Sequence, residues 1–275
     1  MTISQVRSAD GTLAVEVRGD GPLIVASPGI GEDRSGFALL AEELVGSGFR
    51  VAVADLRGHG ESSSRFESYG DEATARDLIA VVEHLGGGPA LLVGASMSAA
   101  AAVIAAGRRP DLAAGLVLIG PFLRNGTSSA GRLMLSVALL KPWGPAVWRY
   151  YASTLWPGLP DAKRRARELT RHLSSSGRWA AFRATAATNH DVVAPWLNGR
   201  IEAPALVVMG EQDPDWKDPA AEARWAAAQL RNSSLLMVPR SGHAPMLENA
   251  DVTGPAVRDF ARAVFEGTDG GTRGA

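Results

Sequence analysis

The chain has 275 residues, 46% of them hydrophobic and 21% charged, a balance that suits one large globular domain. A formal net charge of -1 without a dense basic run argues against nucleic acid and anionic membranes as partners, and the absence of cysteine excludes disulfides and thiolate nucleophiles. Because no signal-peptide pattern and no apolar run of about 18 residues occurs, we expect a cytoplasmic protein without a membrane segment.

Short apolar runs without alternation recur along the chain and predict strands of a parallel sheet covered on both faces. In chain order the predicted strands are Leu13–Val17, Leu23–Ala26, Arg50–Ala54, Ala90–Val93, Gly115–Ile119, Ala205–Met209 and Leu235–Val238. Amphipathic helical patterns alternate with them, for example at 37–44, 75–85 and 257–264. This alternation predicts an α/β fold with a doubly wound, mostly parallel sheet.

The alternation stops between Phe122 and Ile201, where the pattern is helical and no strand–helix pair is evident. Five of the seven tryptophans lie in this stretch, and Tyr150 and Tyr151 lie there too. We interpret residues 123–200 as a helical cap inserted over the carboxyl edge of the sheet.

The same interpretation divides the whole chain. The α/β core consists of two segments that the cap interrupts. A Gly- and Thr-rich C-terminus is predicted to be disordered. The predicted boundaries are 1–122 and 201–267 for the core, 123–200 for the cap and 268–275 for the tail.

A serine lies where an apolar strand turns into a small, alanine-rich helix, in the run Leu91-Leu92-Val93-Gly94-Ala95-Ser96-Met97-Ser98-Ala99-Ala100. A nucleophile on so tight a turn has strained backbone angles and needs small residues two positions away, which Gly94 and Ser98 provide. The N–H of Met97 would then face an oxyanion formed at Ser96. The alternative is a serine that only caps the helix N-terminus.

Two later turns supply an acid and a base in the chain order Ser, Asp, His, which suits three loops meeting at one sheet edge. Asp213 follows one predicted strand, and His243 follows the next, in a Ser-Gly-His-Ala-Pro turn. The histidine would accept the serine proton, and the carboxylate would hold the tautomer of the histidine. Asp215 and Asp218 are competitors for the acid, although Asp218 has the pattern of a helix cap.

The loop Ala26-Ser27-Pro28-Gly29-Ile30-Gly31 follows an early strand and offers a second backbone donor, the N–H of Ile30. Losing one such donor typically costs about 10²-fold or more in rate. The alternative is a plain strand–helix turn. Neither a GxxxxGK(S/T) nor a GxGxxG phosphate loop occurs, and no metal or cofactor signature is found, so we expect no metal and no cofactor.

Taken together, these motifs resemble those of the α/β-hydrolase superfamily over nearly the whole chain. The run Gly94-Ala95-Ser96-Met97-Ser98 is similar to the nucleophile elbow G-x-S-x-G, with Ser98 crowding the place of a glycine. The loop Asp55-Leu56-Arg57-Gly58-His59-Gly60-Glu61-Ser62 is similar to the recurrent D-x-R-G-x-G-x-S. Gly210-Glu211-Gln212-Asp213 and Gly242-His243 match the acid and base turns. Pro28 stands where many members have the histidine of a His-Gly oxyanion motif.

The resemblance implies a serine hydrolase that cleaves an ester, thioester or lactone of a small, largely apolar substrate through an acyl-enzyme. Members of this superfamily also include C–C bond hydrolases, cofactor-free haloperoxidases and non-hydrolytic cyclases or lyases, and fold and triad do not separate them. A slow-turnover small-molecule receptor and an interaction protein with a vestigial site are further alternatives. The sequence leaves a monomer and a homodimer open.

Aromatic side chains of the cap are expected to line an apolar pocket over Ser96, with a few polar groups for orientation. The alternative for any one of them is packing of the cap onto the sheet. Arg124 and Asn125 are weaker candidates for polar contacts. The predicted aromatic substrate contacts are Trp143, Tyr150, Tyr151 and Trp179.

Overall fold

The computed structural model describes residues 2–86, 88–175 and 177–271. The strands are β1 (Thr2–Arg7), β2 (Thr12–Arg18), β3 (Leu23–Ser27), β4 (Arg50–Ala54), β5 (Ala90–Ala95), β6 (Ala113–Ile119), β7 (Ala205–Gly210) and β8 (Ser233–Val238). They form one sheet in the order β1-β2-β4-β3-β5-β6-β7-β8. The pairings β1–β2 and β2–β4 are antiparallel and all the others are parallel, so the predicted mostly parallel sheet is confirmed.

Burial along the strands explains which of them the sequence predicts. Strands β3, β5, β6 and β7 are buried at every residue, and each therefore appears as an uninterrupted apolar run. The sequence analysis misses β1, in which only Val6 is buried. This edge strand is held by its antiparallel ladder to β2 and carries no apolar pattern of its own.

Helices cover both faces of the sheet. In chain order they are α1 (Ala38–Gly46), α2 (Asp71–His84), α3 (Met97–Arg108), α4 (Ser129–Ala138), α5 (Gly144–Ala152), α6 (Ala162–Leu173), α7 (Arg178–Ala186), α8 (Pro219–Ala228), α9 (Pro245–Glu248) and α10 (Ala250–Gly271). One apolar core lies between the sheet and α2, α3 and α8. The other lies under α1 and α10 and also takes in side chains of α5, α6 and α7.

The chain between β6 and β7 holds α4 to α7 and a short 3₁₀ helix, His190–Trp196. Residues 123–200 are called the insertion. Its helices differ in burial: α5, α6 and α7 contribute Trp148, Ala166 and Phe182 to the core, whereas α4 buries none of its residues. None of the described helices combines the length and the hydropathy that a membrane span requires.

The C-terminus differs from the sequence prediction. Helix α10 continues to Gly271, so residues 268–271 of the predicted disordered tail have helical backbone, and 272–275 lie outside the described residues. A helix that already has a nucleus gains one hydrogen bond for each residue added, which lets it extend into glycine-rich sequence.

The D-x-R-G-x-G-x-S loop has a structural role next to the sheet edge. Arg57 is 1% exposed and donates to both carboxylate oxygens of Asp77, at 2.8 and 2.7 Å. Ser62 Oγ accepts from the N–H of Ala14 at 3.0 Å. His59 is fully buried, and burial lowers its pKa to about 4, so its ring is neutral in the core.

Candidate active site

Ser96 lies in the turn between β5 and α3 and has a left-handed backbone conformation, with φ 56° and ψ -122°. A non-glycine residue held in such a region stores about 1–3 kcal/mol of strain. The turn is fixed by the N–H of Ser96, which donates to Ile119 O at 2.8 Å. Gly94 is required there because a Cβ at this position would lie 2.1 Å from Ser98 O.

Ser98, which replaces a glycine of the elbow motif, connects the turn to the loop after β3. Its fully buried hydroxyl donates to Pro28 O at 2.6 Å and lies 3.2 Å from Ser27 Oγ. The hydroxyl therefore adds a hydrogen bond at a position where the sequence analysis expects only slight crowding.

The loop after β3 approaches the serine closely. A Cβ on Gly29 would lie 2.8 Å from Ser96 Cβ and 3.4 Å from Ser96 Oγ, so only glycine fits. Ile30 is the residue after Gly29, and Met97 is the first residue of α3. Within the described residues, neither the N–H of Ile30 nor that of Met97 donates to a protein acceptor. Both donors are therefore available to a ligand at Ser96.

His243, in the turn between β8 and α9, faces a buried acid. Its Nδ1 lies 2.8 Å from Asp213 Oδ2, and the Asp213 side chain is fully buried after β7. The backbone N–H of His243 donates to Leu155 O in the insertion, at 2.8 Å. The third candidate acid, Asp218, accepts from the N–H of Ala221 at 2.9 Å and caps α8, as its sequence pattern predicts.

Asp215 is a second carboxylate on the same imidazole nitrogen. Its Oδ2 lies 3.3 Å from His243 Nδ1, its N–H donates to Asp213 Oδ1 at 3.0 Å, and it accepts a hydrogen bond from the Tyr151 hydroxyl of α5. The sequence analysis treats Asp213 and Asp215 as competitors, whereas both contact the ring. The only sign in the sequence that both acids contact His243 is that Asp213 and Asp215 lie two residues apart on one turn.

These carboxylates control the protonation of His243. Burial alone lowers the pKa of the ring, but the negative charges of Asp213 and Asp215 outweigh burial and raise the pKa to about 10. Burial also raises the pKa of Asp215. The negative charge of Asp213 raises this pKa further, and the charge of His243 lowers it. The two carboxylates therefore stabilise the protonated form of the ring.

Ser96 and His243 open into a cavity of about 380 Å³ between the sheet edge and the insertion. Ser96 lines this space, and its Oγ makes no hydrogen bond to another described residue. The apolar wall includes Ile30, Phe122, Leu135, Leu139, Trp148, Leu155, Trp156 and Met246. The polar wall, apart from Ser96 and His243, includes Glu32, Asn125, Thr127, Arg132, Tyr151, Thr188, His190 and Asp215.

Of the four predicted aromatic contacts, Tyr151 lines the cavity and the other three require correction. Among the described residues, Trp143 and Tyr150 lie outside its wall and are 51% and 76% exposed. Trp179 is buried beneath it, where its Nε1–H donates to Leu139 O at 3.0 Å. Trp148 lines the cavity instead, because it lies three residues before Tyr151 and so shares a helix face with it.

Glu32 is a buried carboxylate in the cavity wall, two residues after Ile30. Its Oε2 accepts from Arg165 Nη2 of α6 at 2.9 Å, and its Oε1 has no partner among the described residues. Burial raises the pKa of Glu32, although the Arg165 guanidinium partly opposes this. This pair links the insertion to the loop after β3 and has no signal in the sequence.

The site has one cluster with the spacing of metal ligands. Within the described residues, only Asp213, Asp215 and His243 place three ligand atoms within 4.8 Å of one another. The imidazole and the Tyr151 hydroxyl already occupy these carboxylate oxygens with hydrogen bonds. The cluster is therefore a hydrogen-bonded array, and the expectation that the protein needs no metal stays a prediction.

A sequence model of the α/β hydrolase family matches residues 23–254, which include the serine turn, both acids and the histidine. The chain belongs to the α/β hydrolase family.

Named relatives of this hydrolase are esterases and hydrolases of nearly the same length. The pimeloyl-(acyl-carrier protein) methyl ester esterase of Chromobacterium violaceum is 31% identical over 264 residues, which cover 92% of this chain and 97% of that protein. The 2-(acetamidomethylene)succinate hydrolase of Mesorhizobium japonicum is 27% identical over 264 residues, 92% of each chain. A thermophilic esterase of Thermogutta terrifontis superposes with a TM-score of 0.83 at 26% identity, over 96% of this chain and 99% of that one. This hydrolase is an esterase-like member of the family.

Proposed function

We propose that this hydrolase is a serine esterase in which Ser96 is the nucleophile, His243 the general base and Asp213 the acid that orients the base. The observation that carries the proposal is the shared cavity. The strained Ser96 and His243 both line it, and Nδ1 of His243 lies 2.8 Å from the buried carboxylate of Asp213. A serine hydroxyl needs such a base, and the base needs such a partner, before nucleophilic attack occurs at a useful rate.

The proposed reaction begins when His243 Nε2 accepts the proton of Ser96 as its oxygen attacks the ester carbonyl carbon. The open N–H groups of Ile30 and Met97 hold the developing oxyanion. His243 then donates the proton to the leaving alcohol, and a water activated by the same imidazole releases the acid and regenerates Ser96.

The apolar walls support a small, largely apolar ester as the substrate class. The aliphatic and aromatic side chains of α5, the 135–139 segment and the loop after β3 would bury an acyl or alkyl chain. The names of the Chromobacterium violaceum and Thermogutta terrifontis relatives, both esterases, support carboxylic esters over the C–C bond and haloperoxidase alternatives. Thioesters and lactones would react by the same steps. We also propose that the insertion acts as the cap that separates this reaction from bulk water.

A fluorophosphonate probe tests the nucleophile directly. We expect stoichiometric labelling of the parent, none of Ser96→Ala, and labelling of His243→Ala slowed by about 10³-fold or more. Ser175→Ala, which removes an exposed serine of the insertion, is the matched control and should label like the parent. A panel of p-nitrophenyl esters of increasing chain length gives the accompanying rates.

Two outcomes would contradict the proposal. One is full esterase activity in Ser96→Ala. The other is a folded parent protein that neither labels nor hydrolyses any ester of the panel, a result that would favour a receptor or a vestigial site. The monomer or homodimer state and the cytoplasmic location stay predictions of the sequence.

A further inference from the structure

We propose that Glu248 is a positioning residue for His243: its carboxylate fixes the backbone turn that carries the proposed base and connects this turn to the insertion. This inference rests on the proposed esterase function. Its consequence is that residues 155–158 of the insertion help to aim the imidazole at Ser96, so the insertion supports the reacting groups as well as forming a wall of the cavity.

The carboxylate of Glu248 accepts three backbone hydrogen bonds around the histidine. The N–H of Gly242 donates to Oε2 at 2.9 Å, and the N–H of Ala244 donates to Oε1 at 3.0 Å, so the residues before and after His243 are both held. The N–H of Gly158, in the insertion, donates to the same Oε2 at 2.9 Å. One side chain therefore joins both neighbours of the base to the insertion.

Helix capping explains only one of these three bonds. Glu248 is the last residue of the short helix α9, and Ala244 is the N-cap of that helix. A side chain that reaches back to the N-cap N–H satisfies one of the free donors at a helix start. The N–H groups of Gly242 and Gly158 lie outside the helix, so a cap does not require them. Burial raises the pKa of the Glu248 carboxyl, whereas its three N–H donors and the charge of His243 lower this pKa.

The insertion also contacts this turn directly. The N–H of His243 donates to Leu155 O at 2.8 Å. A Cβ on Gly242 would lie 2.4 Å from Leu155 O and 2.3 Å from Pro157 Cδ, so only glycine fits there. Residues 155–158 are therefore packed against the turn as well as hydrogen-bonded to it.

The turn has a strained residue that such support would stabilise. Arg240, three residues before His243, has a φ of 54°, in the left-handed region that residues other than glycine rarely adopt. Strained backbone of this kind persists only where the surrounding structure determines it from several sides. The turn after β7 supplies one further bond, from the N–H of Gln212 to Ser241 O at 2.8 Å. Glu248 and the insertion supply the others.

The position of the backbone matters because the base must reach the serine proton. Asp213 orients the ring of His243 through Nδ1 but does not fix its Cα. A displacement of about 1 Å at a reacting group can cost about 10²-fold in rate. Glu248 is not among the described residues that line the cavity, so its loss should lower kcat and leave KM nearly unchanged.

The first test compares Glu248→Ala with a matched control, Glu43→Ala. Glu43 is another half-buried glutamate, and it accepts from Arg258 Nη1 at 2.8 Å where α1 meets α10. Values of kcat are taken per active site, counted from the end point of fluorophosphonate labelling, so unfolded protein does not contribute. We expect Glu248→Ala to lower kcat about 10²-fold with KM within about twofold of the parent, and Glu43→Ala to keep both values.

A second variant, Glu248→Gln, keeps one oxygen and replaces the other by an amide nitrogen, which cannot accept from an N–H. We expect its kcat to fall about tenfold, since part of the hydrogen bonding remains. If Glu248→Ala does not fold, Glu248→Gln takes its place in both measurements.

Hydrogen exchange at the backbone amide of His243 tests the inference without any enzyme activity. This N–H donates to Leu155 O, a bond that Glu248→Ala does not remove, so faster exchange reports a looser turn and not a lost acceptor. We expect exchange to be about tenfold faster or more in Glu248→Ala, relative to the amides of β5, and unchanged in Glu43→Ala.

The two measurements separate this inference from the proposed function. If the parent hydrolyses no ester but the His243 amide exchanges faster in Glu248→Ala, the esterase proposal fails and Glu248 still fixes the turn. Parental kcat in the Glu248 variants, or unchanged exchange at His243, would overturn the role of Glu248.

Discussion

The carboxyl edge of the sheet and the insertion above it hold their side chains in different ways. At the edge, Ser96 and Asp213 follow fully buried strands, and backbone hydrogen bonds fix the turns. The insertion packs apolar side chains of α5, α6 and α7 into the core and adds polar links to the edge, such as Arg165 to Glu32 and Tyr151 to Asp215, whereas α4 buries nothing. The sheet therefore sets the positions of the proposed triad, whereas helix packing sets the walls of the cavity.

The largest expected effect tests whether activity depends on Asp213 alone among the acids at the sheet edge. Asp213→Asn keeps the shape of the side chain but leaves His243 in the wrong tautomer, and we expect kcat to fall about 10⁴-fold. Asp218→Asn, the same change at a helix cap that asparagine also serves, should retain parental kcat. If Asp213→Asn stays active and Asp215→Asn does not, the two acids have exchanged roles.

The rigidity of the serine turn is tested by adding one methyl group. Gly94→Ala would place its Cβ 2.1 Å from Ser98 O, and relieving that clash should cost about 3 kcal/mol in the free energy of unfolding, measured with urea. Gly46→Ala meets nothing within 4 Å in α1 and should be neutral or slightly stabilising. Equal stability of both variants would show that the turn is more tolerant than its geometry indicates.

A smaller effect is expected where the turn meets the loop after β3. Ser98→Ala leaves the buried Pro28 carbonyl without its hydrogen bond, so the N–H of Ile30 should lose its fixed position. We expect kcat to fall about tenfold with KM nearly unchanged, because an oxyanion donor acts mainly in the transition state. A change in KM alone would instead place Ser98 in substrate binding.

The smallest effect tests the link between the two regions. With the pKa of His243 raised to about 10, the base form increases as pH rises, so kcat/KM should increase from neutral to alkaline pH. Asp215→Asn removes one of the charges that raise this pKa and should move the rising limb about one pH unit lower. Tyr151→Phe keeps the carboxylate and should move it less. A pH profile identical to that of the parent in both variants would exclude Asp215 as a partner of His243.

The sequence predicts the sheet edge much better than the insertion, for a physical reason. Parallel strands bring their carboxyl ends together, so the order of Ser96, Asp213 and His243 along the chain is enough to place them at one edge. Helical periodicity states which residues share a face but not which face turns toward the sheet. For that reason Trp143 and Tyr150 are indistinguishable in the sequence from Tyr151, which lines the cavity.

Sequence patterns also do not predict side-chain pairs between residues that are far apart in the chain. Glu32 with Arg165 and His190 with Asp71 join residues more than a hundred positions apart, and none of the four belongs to a motif. The contact of Asp215 with His243 is easier to predict from the sequence, because Asp215 lies two residues from Asp213 on the same turn. The hydrogen bond from Tyr151 of α5 to Asp215 is not predictable in this way, since it depends on how the insertion packs against the sheet.

The backbone conformation of Ser96 affects which residue natural selection would retain at position 96. Its φ of 56° and ψ of -122° match the first central position of a type II′ turn, which glycine occupies without strain. A glycine there would relax the turn and raise the melting temperature while removing the proposed nucleophilic oxygen. Selection for robustness alone would therefore tend to erase the serine, and its retention in a lineage is a sign that turnover is what selection acts on.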